Sequence, residues 1–384
     1  MLSCTNIFRG LPVSTLNKQP TGMPEADLAI IGGGSAGISL ASQLYGLSAV
    51  IIEPKTPAER DCSWALWANA EQQKQLAPCT KGRWKQWRLI DHQREIIHRS
   101  DQYSYTSLSA AQYLSQCENN LADGIELIRA SAENIQVQGN GGSFTAAGQT
   151  YSAAQLYDSR PPTMADNCLK QHFLGLEIRT KSPIENPEIA TLMDFRVDQS
   201  RGLHFIYVLP FSDDRLLIES TMISRTIEDK NWYLNAIHQW LEQQNIEPLE
   251  TISQEQGVIP MDRVEPIDAG IANIGAASGA VRLSSGYAFT NIQAQVSALA
   301  QGIRGGQYEV PEPIAPSLIR MDKIFNAVLL AEPELGVSVM MRTASALDAN
   351  GFARFMLGSA SLLDWARVIM AMPKLPFLKQ VFTP

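Results

Sequence analysis

Cysteine is scarce in this chain and shows no pairing pattern. The 384 residues include five cysteines, Cys4, Cys62, Cys79, Cys117 and Cys168, and none of them stands in a CxxC spacing. An odd count at these separations excludes a disulfide scaffold and gives no support to a zinc site, so a reducing, cytoplasmic location is the expectation. Histidine is equally thin, with five scattered residues and no metal-ligand spacing, so no metal is expected. Basic residues are outnumbered 31 to 39, giving a formal charge of -8 at pH 7. A bulk nucleic-acid binder needs a basic face, so no nucleic-acid partner is expected. No window reaches ~18 consecutive apolar residues, which argues against a membrane-spanning helix. Residues 1–24 lack the apolar stretch of a signal peptide and read as a flexible arm. Internal repeats and low-complexity tracts are absent.

What is present is a globular composition, 45% hydrophobic and 18% charged, on a chain long enough for two domains. Residues 26–32 (ADLAIIG) form a short apolar run suited to a buried parallel strand. Residues 38–47 read as a helix and residues 49–53 (AVIIE) as a second strand. Residues 60–105 read as loops and short strands, residues 109–121 as a helix, and residues 125–156 as strands broken at Gly139-Asn140-Gly141-Gly142. Between residues 172 and 222 the segments HFLGLEIRT, TLMDFRV, HFIYVLPF and RLLIEST are separated by turn signals, as in an antiparallel sheet. Residues 229–245 read as a helix, 271–276 as a strand, 291–306 as a helix, and about 316–382 as helical.

The segment Gly32-Gly33-Gly34-Ser35-Ala36-Gly37 satisfies GxGxxG directly after the first strand. In such a turn the first glycine permits the tight bend. The second lets backbone approach a pyrophosphate, and the third lets the helix pack on the strand. Glu53 ends the next strand about twenty residues on, where a carboxylate can accept both hydroxyls of an adenosine ribose. That acid disfavours a 2′-phosphate, so FAD or NAD fits this turn better than NADP. The fold class expected is α/β (α+β overall): a Rossmann-like FAD-binding domain with an inserted antiparallel-sheet substrate domain and C-terminal helices. The boundaries read as 25–170 and 263–310 for the two parts of the FAD-binding domain, 171–262 for the insert and 311–384 for the helical region.

Nine ordered segments then carry a resemblance. They are Cys62-Ser63-Trp64, Tyr157-Asp158-Ser159-Arg160-Pro161-Pro162, Gln171-His172-Phe173-Leu174-Gly175, Thr191-Leu192-Met193-Asp194-Phe195-Arg196 and Tyr207-Val208-Leu209-Pro210-Phe211-Ser212. Leu217-Ile218-Glu219-Ser220-Thr221, Gly257-Val258-Ile259-Pro260-Met261, Ser285-Gly286-Tyr287-Ala288-Phe289 and Pro373-Lys374-Leu375-Pro376-Phe377-Leu378 complete them. In this order the chain resembles, from about residue 25 to its C-terminus, the flavin-dependent lycopene cyclases of the bacterial β-cyclase type. The resemblance implies an aromatic-hydroxylase-like flavoprotein that closes the ψ-ends of lycopene into β-ionone rings without net redox change, an intramolecular lyase or isomerase. It implies reduced FAD, with NAD(P)H as the outside reductant, and Glu219 as the catalytic acid. The position after that glutamate is acidic in the family and is Ser220 here, so a carboxylate pair is not carried over from it.

An acid in an apolar setting suits protonation of a terminal double bond, since burial keeps a carboxyl protonated. Strand alternation puts Leu217 and Glu219 on one face and Ile218 on the other. Asp194 and Arg196, at alternating positions of one strand, read either as a site ion pair or as a surface pair. His172 reads as a proton donor or a satisfied buried histidine, and Trp64 and Trp67 as polyene-lining rings or ordinary core. Gly275, Gly279 and Gly286 are expected to bring backbone close to the flavin. A monooxygenase or reductase of the same fold, or a carotenoid carrier, is the competing reading.

The C-terminal region places Phe352, Phe355, Met356, Leu362, Leu363, Trp365, Val368, Ile369 and Met372 among Arg354, Arg367, Lys374 and Lys379. Apolar residues among basic ones suit either an interfacial helix on anionic lipid or a helix packed on its own core. Residues 373–382 are the segment expected to touch a membrane surface.

Overall fold

A computed structural model describes residues 25–381. The N-terminal arm expected at residues 1–24, and residue 382 of the C-terminal tail, lie outside the described residues.

The apolar run near the N-terminus forms the strand Glu25–Ile31, whose last four residues are all buried, as a strand covered on both faces requires. It pairs in parallel with Ala49–Ile52 and with Gln149–Asp158. Ile125–Ile128 extends the parallel set at one edge, and Ala272–Asn273 pairs in parallel with the end of Gln149–Asp158. The antiparallel strands Gly141–Ala146 and Glu133–Gln138 complete a seven-stranded sheet. This is the Rossmann-like layer anticipated from the GxGxxG turn.

Two of its elements are shorter than their sequence pattern suggests. The helix expected over residues 38–47 spans Gly37–Ala41. Beyond it, the Ser42 hydroxyl and the Gln43 amide both donate to the Ser39 carbonyl, and Gly46 adopts φ +74°, so local side-chain bonds and a left-handed residue end the helix. The strand expected over residues 271–276 is only Ala272–Asn273, because Gly275 turns at φ +70° into a 3₁₀ turn, Gly275–Ser278.

The second seven-stranded sheet runs, in spatial order, Pro248–Pro260, Lys170–Thr180, Arg215–Ser224, Leu203–Pro210, Ile189–Asp194, Gln86–Ile90 and Glu95–Arg99. It differs from the sequence reading in two ways. Gln86–Ile90 and Glu95–Arg99, assigned by sequence to the FAD-binding part, belong to this sheet, and Gln86–Ile90 pairs with Ile189–Asp194 in parallel. The thirteen-residue strand Pro248–Pro260 was not anticipated. It is an edge strand, polar and largely exposed, so it lacks the apolar alternation that reveals a strand in sequence.

The two faces of this sheet pack differently. Ile218, Leu216, Ile206 and Val208 bury against Tyr233, Ile237, Trp240 and Leu241 of the helix Lys230–Gln243. Leu217, Leu209, Leu203 and Phe205 point the other way, into a core shared with Trp67, Trp84 and Tyr105 of a three-stranded sheet, Ser63–Ala68, Ser104–Ser109 and Thr80–Trp84, and with the C-terminal helices.

Those helices, Pro316–Ala331, Gly336–Ala346, Ala349–Met356, Leu362–Ala371 and Lys374–Val381, share a core with the sheets, and a buried guanidinium joins two of them to the FAD-binding part. Arg282 is 1% exposed. It donates to Asp322 through Nη2 at 2.7 Å and Nε at 3.2 Å, and through Nη1 to the Phe355 and Met356 carbonyls that end Ala349–Met356. Removing one partner of such a pair strands the other charge in a low-dielectric interior. Asp322→Ala is therefore expected to lower the unfolding free energy by about 3–5 kcal/mol, seen as a fall in the denaturant midpoint. An unchanged midpoint would show that this ion pair does not anchor the helices.

Candidate functional site

The glycine-rich turn is built for close approach of a ligand. Gly32 adopts φ +93°, and a Cβ on Gly37 would lie 2.0 Å from the Gly32 carbonyl, so both positions exclude larger side chains. A Cβ on Gly34 would meet nothing within 4 Å, so the backbone there faces open space. Ser35 and Ala36 continue the turn into Gly37–Ala41, and the Gly37 N–H donates to the Ser159 hydroxyl at 2.9 Å. Arg160 lies over Gly32 and is held by Asp158 and Asp268, which accounts for the Tyr157–Pro162 segment as the wall of this turn. Glu53 is 8% exposed and accepts from the Gly33 N–H and the Lys55 N–H, both at 2.9 Å. The Arg60 guanidinium also pairs with it at 3.4 Å, and a carboxylate has about four acceptor positions, so capacity for a further donor remains. Gly275 packs on Ala36, where an added Cβ would lie 2.6 Å from the Ala36 Cβ, and Gly279 and Gly286 are also left-handed. The structure thus brings Gly32, Gly34, Ser35, Ala36, Gly37, Glu53 and Gly275 together, with Gly279 facing open space. Gly286 lies apart, against Gln171 and Ile259 of the second sheet.

Glu219 sits on the face of the second sheet that looks toward the three-stranded sheet. Its neighbours in register are Gly175 on one side and Tyr207 on the other. Gly175 in turn pairs with Glu255 of the edge strand. An added Cβ at residue 175 would lie 2.8 Å from the Glu219 Cγ and 3.2 Å from the Glu255 Cγ. The missing side chain lets two carboxyl groups from strands that are not adjacent meet across the strand between them. Burial pushes the Glu219 carboxyl well above the usual carboxylate range. The charge of Glu255 and its hydrogen bond to Glu219 raise it further, against a smaller opposing pull from Lys81.

Apart from Glu255 and Lys81, the surroundings include a cluster of aromatic side chains. The Tyr105 hydroxyl bonds those of Tyr207 at 2.9 Å and Tyr287 at 2.8 Å. Burial pushes all three phenols well above their ordinary range, so they stay protonated. Trp67 packs edge-on against Tyr105 at 4.8 Å and tilted against Tyr287 at 5.1 Å, while Trp64 packs on Tyr113 and Phe289. Three buried polar atoms here, Trp67 Nε1, Ser107 Oγ and Thr221 Oγ1, make no hydrogen bond among the described residues, which suits a site that receives another group.

A cavity of about 290 Å³ opens beside this face, between the sheet and the C-terminal helices. It reaches Gln171 and Ile223 of the sheet and is walled by Phe355, Met356, Trp365, Ile369 and Phe377. Ile223 is four residues from Glu219 on the same face, about 13 Å along the strand. Glu219 itself does not line the cavity. Phe352, which does, packs on Trp67 at 5.8 Å and so leads from the cavity to the aromatic cluster.

Asp194 and Arg196 are not part of this constellation. Asp194 is fully buried on the opposite face, where it accepts from Arg196 Nε at 2.9 Å and from the Trp240 indole at 2.9 Å. Despite burial, these donors hold its carboxyl below the usual range, as for a structural carboxylate. His172 is also on that face and satisfied through both ring nitrogens, by Tyr233 and Ser224. Ser220 alternates away from Glu219 and bonds His204 at 2.9 Å. Sequence reasoning missed Glu255, Lys81 and the three-tyrosine cluster. Tyr207 and Tyr287 lie in segments already singled out by the resemblance, whereas Glu255 stands two residues before Gly257 on the strand that was not recognised.

Among known proteins, the family model described as "Lycopene cyclase protein" matches residues 27–381. A lycopene beta-cyclase from Pseudescherichia vulneris is 24% identical over 91% of this chain and 95% of its own length. Two solved structures share the fold. A geranylgeranyl bacteriochlorophyll reductase-like protein from Thermoplasma acidophilum has a TM-score of 0.64 at 14% identity, covering 94% of this chain and 99% of its own. A flavoprotein/dehydrogenase from Cytophaga hutchinsonii has a TM-score of 0.58 at 13% identity, covering 88% and 93%.

The raised Glu219 carboxyl has a consequence for stability. The folded chain holds a proton that the unfolded chain releases as pH rises through about 4.5, so stability falls with pH above that value, and the loss levels off at its full size once the folded-state pKa is passed. Glu219→Gln, which keeps an amide donor for Glu255, is expected to gain stability over the parent as pH rises through the neutral range. Thermal unfolding across a pH series measures the difference. A gap that closes or reverses with rising pH would contradict a protonated Glu219.

Proposed function

The chain belongs to the lycopene cyclase family, and from that premise we propose that it is a lycopene β-cyclase. In this reading it converts the acyclic ψ-ends of lycopene to β-ionone rings, through γ-carotene to β-carotene. The observation that carries the reading is a buried carboxyl, Glu219, set among a cluster of buried tyrosines on the same sheet face that leads to an apolar cavity.

Cyclisation begins when the Glu219 O–H bond breaks and a C–H bond forms at the terminal double bond. The resulting tertiary cation is attacked by the neighbouring double bond. A C–H bond next to the ring cation then breaks, leaving its electron pair as the ring double bond. No electrons are gained or lost overall. Neutral phenol and indole faces suit the passage of positive charge, because their π clouds attract a cation without trapping it as an oxygen nucleophile in water would. Trp67, Tyr105, Tyr207 and Tyr287 supply such faces. The polyene would lie in the cavity, with its ψ-end directed along the sheet face toward Glu219.

The glycine turn fits FAD. Gly34, Ser35 and Ala36 would receive the pyrophosphate, Glu53 the adenosine ribose, and Gly275 and Gly279 the approach on the far side. Bound FAD, reduced at the expense of NAD(P)H, would supply negative charge near the developing cation.

The C-terminal helices support docking on a membrane. Among the described residues no single helix is long and apolar enough to cross one. The apolar residues of this region divide into two sets. Phe352, Met356, Val368 and Met372 are buried, whereas Leu362 is 89% exposed, Met370 74% and Leu375 73%. Exposed Arg367 and Lys374 stand among the second set. An apolar surface with cations among its residues suits anionic lipid, and the same helices wall the cavity, so a substrate dissolved in lipid would enter directly. The reading places the protein in the cytoplasm, peripheral to the membrane.

Expression in cells that accumulate lycopene tests the activity. The parent chain is expected to replace lycopene with bicyclic β-carotene, and Glu219→Gln to leave lycopene unconverted. Unchanged pigment from folded, FAD-loaded parent protein would overturn the reading. Co-sedimentation with anionic vesicles tests the docking surface: Met370→Asp with Leu375→Asp is expected to lose most of the bound fraction. Undiminished binding would place the lipid contact elsewhere.

A further inference from the structure

We propose that Glu255 is a positioning residue that keeps the transferable proton on Glu219, and that Gly175 is the gap through which it acts. The inference rests on the cyclase reading and deepens it. Glu255 comes from the edge strand and reaches Glu219 only across residue 175, where any Cβ would intrude on both side chains.

The environment is asymmetric, and the asymmetry assigns the proton. Glu255 Oε2 accepts the Ser63 main-chain N–H at 2.9 Å, so that oxygen is held toward the three-stranded sheet. Glu219 is the more deeply buried of the two, which favours the neutral acid. The other groups that face the pair do not compete for its proton. Lys81, from the three-stranded sheet, bonds the Ser63 hydroxyl at 2.9 Å and Glu177 at 2.8 Å. Glu177 also holds Arg215, so Lys81 and Arg215 are both engaged by that carboxylate. The Cys62 thiol is pushed up to about 12, by burial first and then by Glu255 and Asp61, so it remains neutral. Tyr105, Tyr207 and Tyr287 remain neutral phenols. Glu219 therefore keeps its proton, by burial first and by the neighbouring Glu255 second.

This arrangement also closes the proton balance of the reaction. When the Glu219 O–H bond breaks toward the substrate, two carboxylates face each other at contact in a buried site. Their mutual repulsion raises the affinity of the Glu219 carboxylate for a returning proton. The proton lost from the ring in the last step returns to it, and the next cycle starts from the same state with no proton drawn from solvent.

Glu255→Gln preserves shape and the acceptor for Ser63 but removes the charge. With purified FAD-loaded protein and lycopene in vesicles, it is expected to move the alkaline limb of the kcat profile to lower pH by about one unit or more. The loss of activity should be smallest on the acid side and grow with pH, and KM should change little. Glu255→Asp should restore much of the limb. A purely structural role would instead lower activity equally at every pH, and that result, or an unmoved limb, would overturn the proposal. A second readout needs no turnover. In the thermal-stability cycle, the alkaline gain from Glu219→Gln should shrink in the Glu255→Gln background, and an undiminished gain would refute the coupling. If the parent chain forms no cyclic carotenoid, the cyclase reading fails by itself, and the stability cycle still judges the carboxyl pair.

Discussion

Glu219 and Glu255 meet across the strand Lys170–Thr180 because residue 175 carries no side chain, and the chemistry available to this fold follows from that contact. Two carboxyl groups on strands once removed would ordinarily be kept apart by whatever stood between them. With glycine between, the buried one keeps its proton, through burial first and through the second carboxyl beside it. The rest of the site elaborates this constraint. The three-stranded sheet covers the pair with neutral rings and supplies the Ser63 N–H and Lys81. The C-terminal helices keep the adjoining space apolar.

The same sheet carries a second buried carboxylate with the opposite outcome. Asp194 is as buried as any residue in the chain, yet Arg196 and the Trp240 indole donate to it and hold it ionised. Burial sets the cost of charge on both faces, and the partner decides whether the group answers by pairing or by holding a proton. The helix face of the sheet is accordingly a scaffold, with His172, His204 and Ser220 satisfied by neighbours, and the facing side is where unsatisfied polar atoms collect.

Much of this was legible beforehand where local pattern carries the information. The turn Gly32–Gly37 and Glu53 could be read because backbone approach to a phosphate constrains consecutive residues. Glu219 could be placed opposite Ile218 because alternation along one strand needs no tertiary knowledge. Glu255 was invisible for the complementary reason. Its strand lies exposed at a sheet edge, so its composition looks like loop, and its meaning depends on a glycine eighty residues earlier. Asp194 and Arg196 illustrate a different limit: spacing shows that they can pair, but only the position of the helix Lys230–Gln243 shows which side of the sheet they occupy. Likewise, the apolar C-terminal residues divide into inward and outward sets only once their helices are placed.

The account depends most on a neutral Glu219 in the resting protein. Infrared difference spectroscopy of the parent against Glu219→Gln at neutral pH reports this directly, because a protonated carboxyl shows a C=O stretch well separated from the carboxylate bands. A carboxylic-acid band present in the parent and lost in the variant is the predicted result. A difference spectrum containing only carboxylate bands would mean that Glu219 is ionised at rest, and the proton for ring closure would have to come from another group.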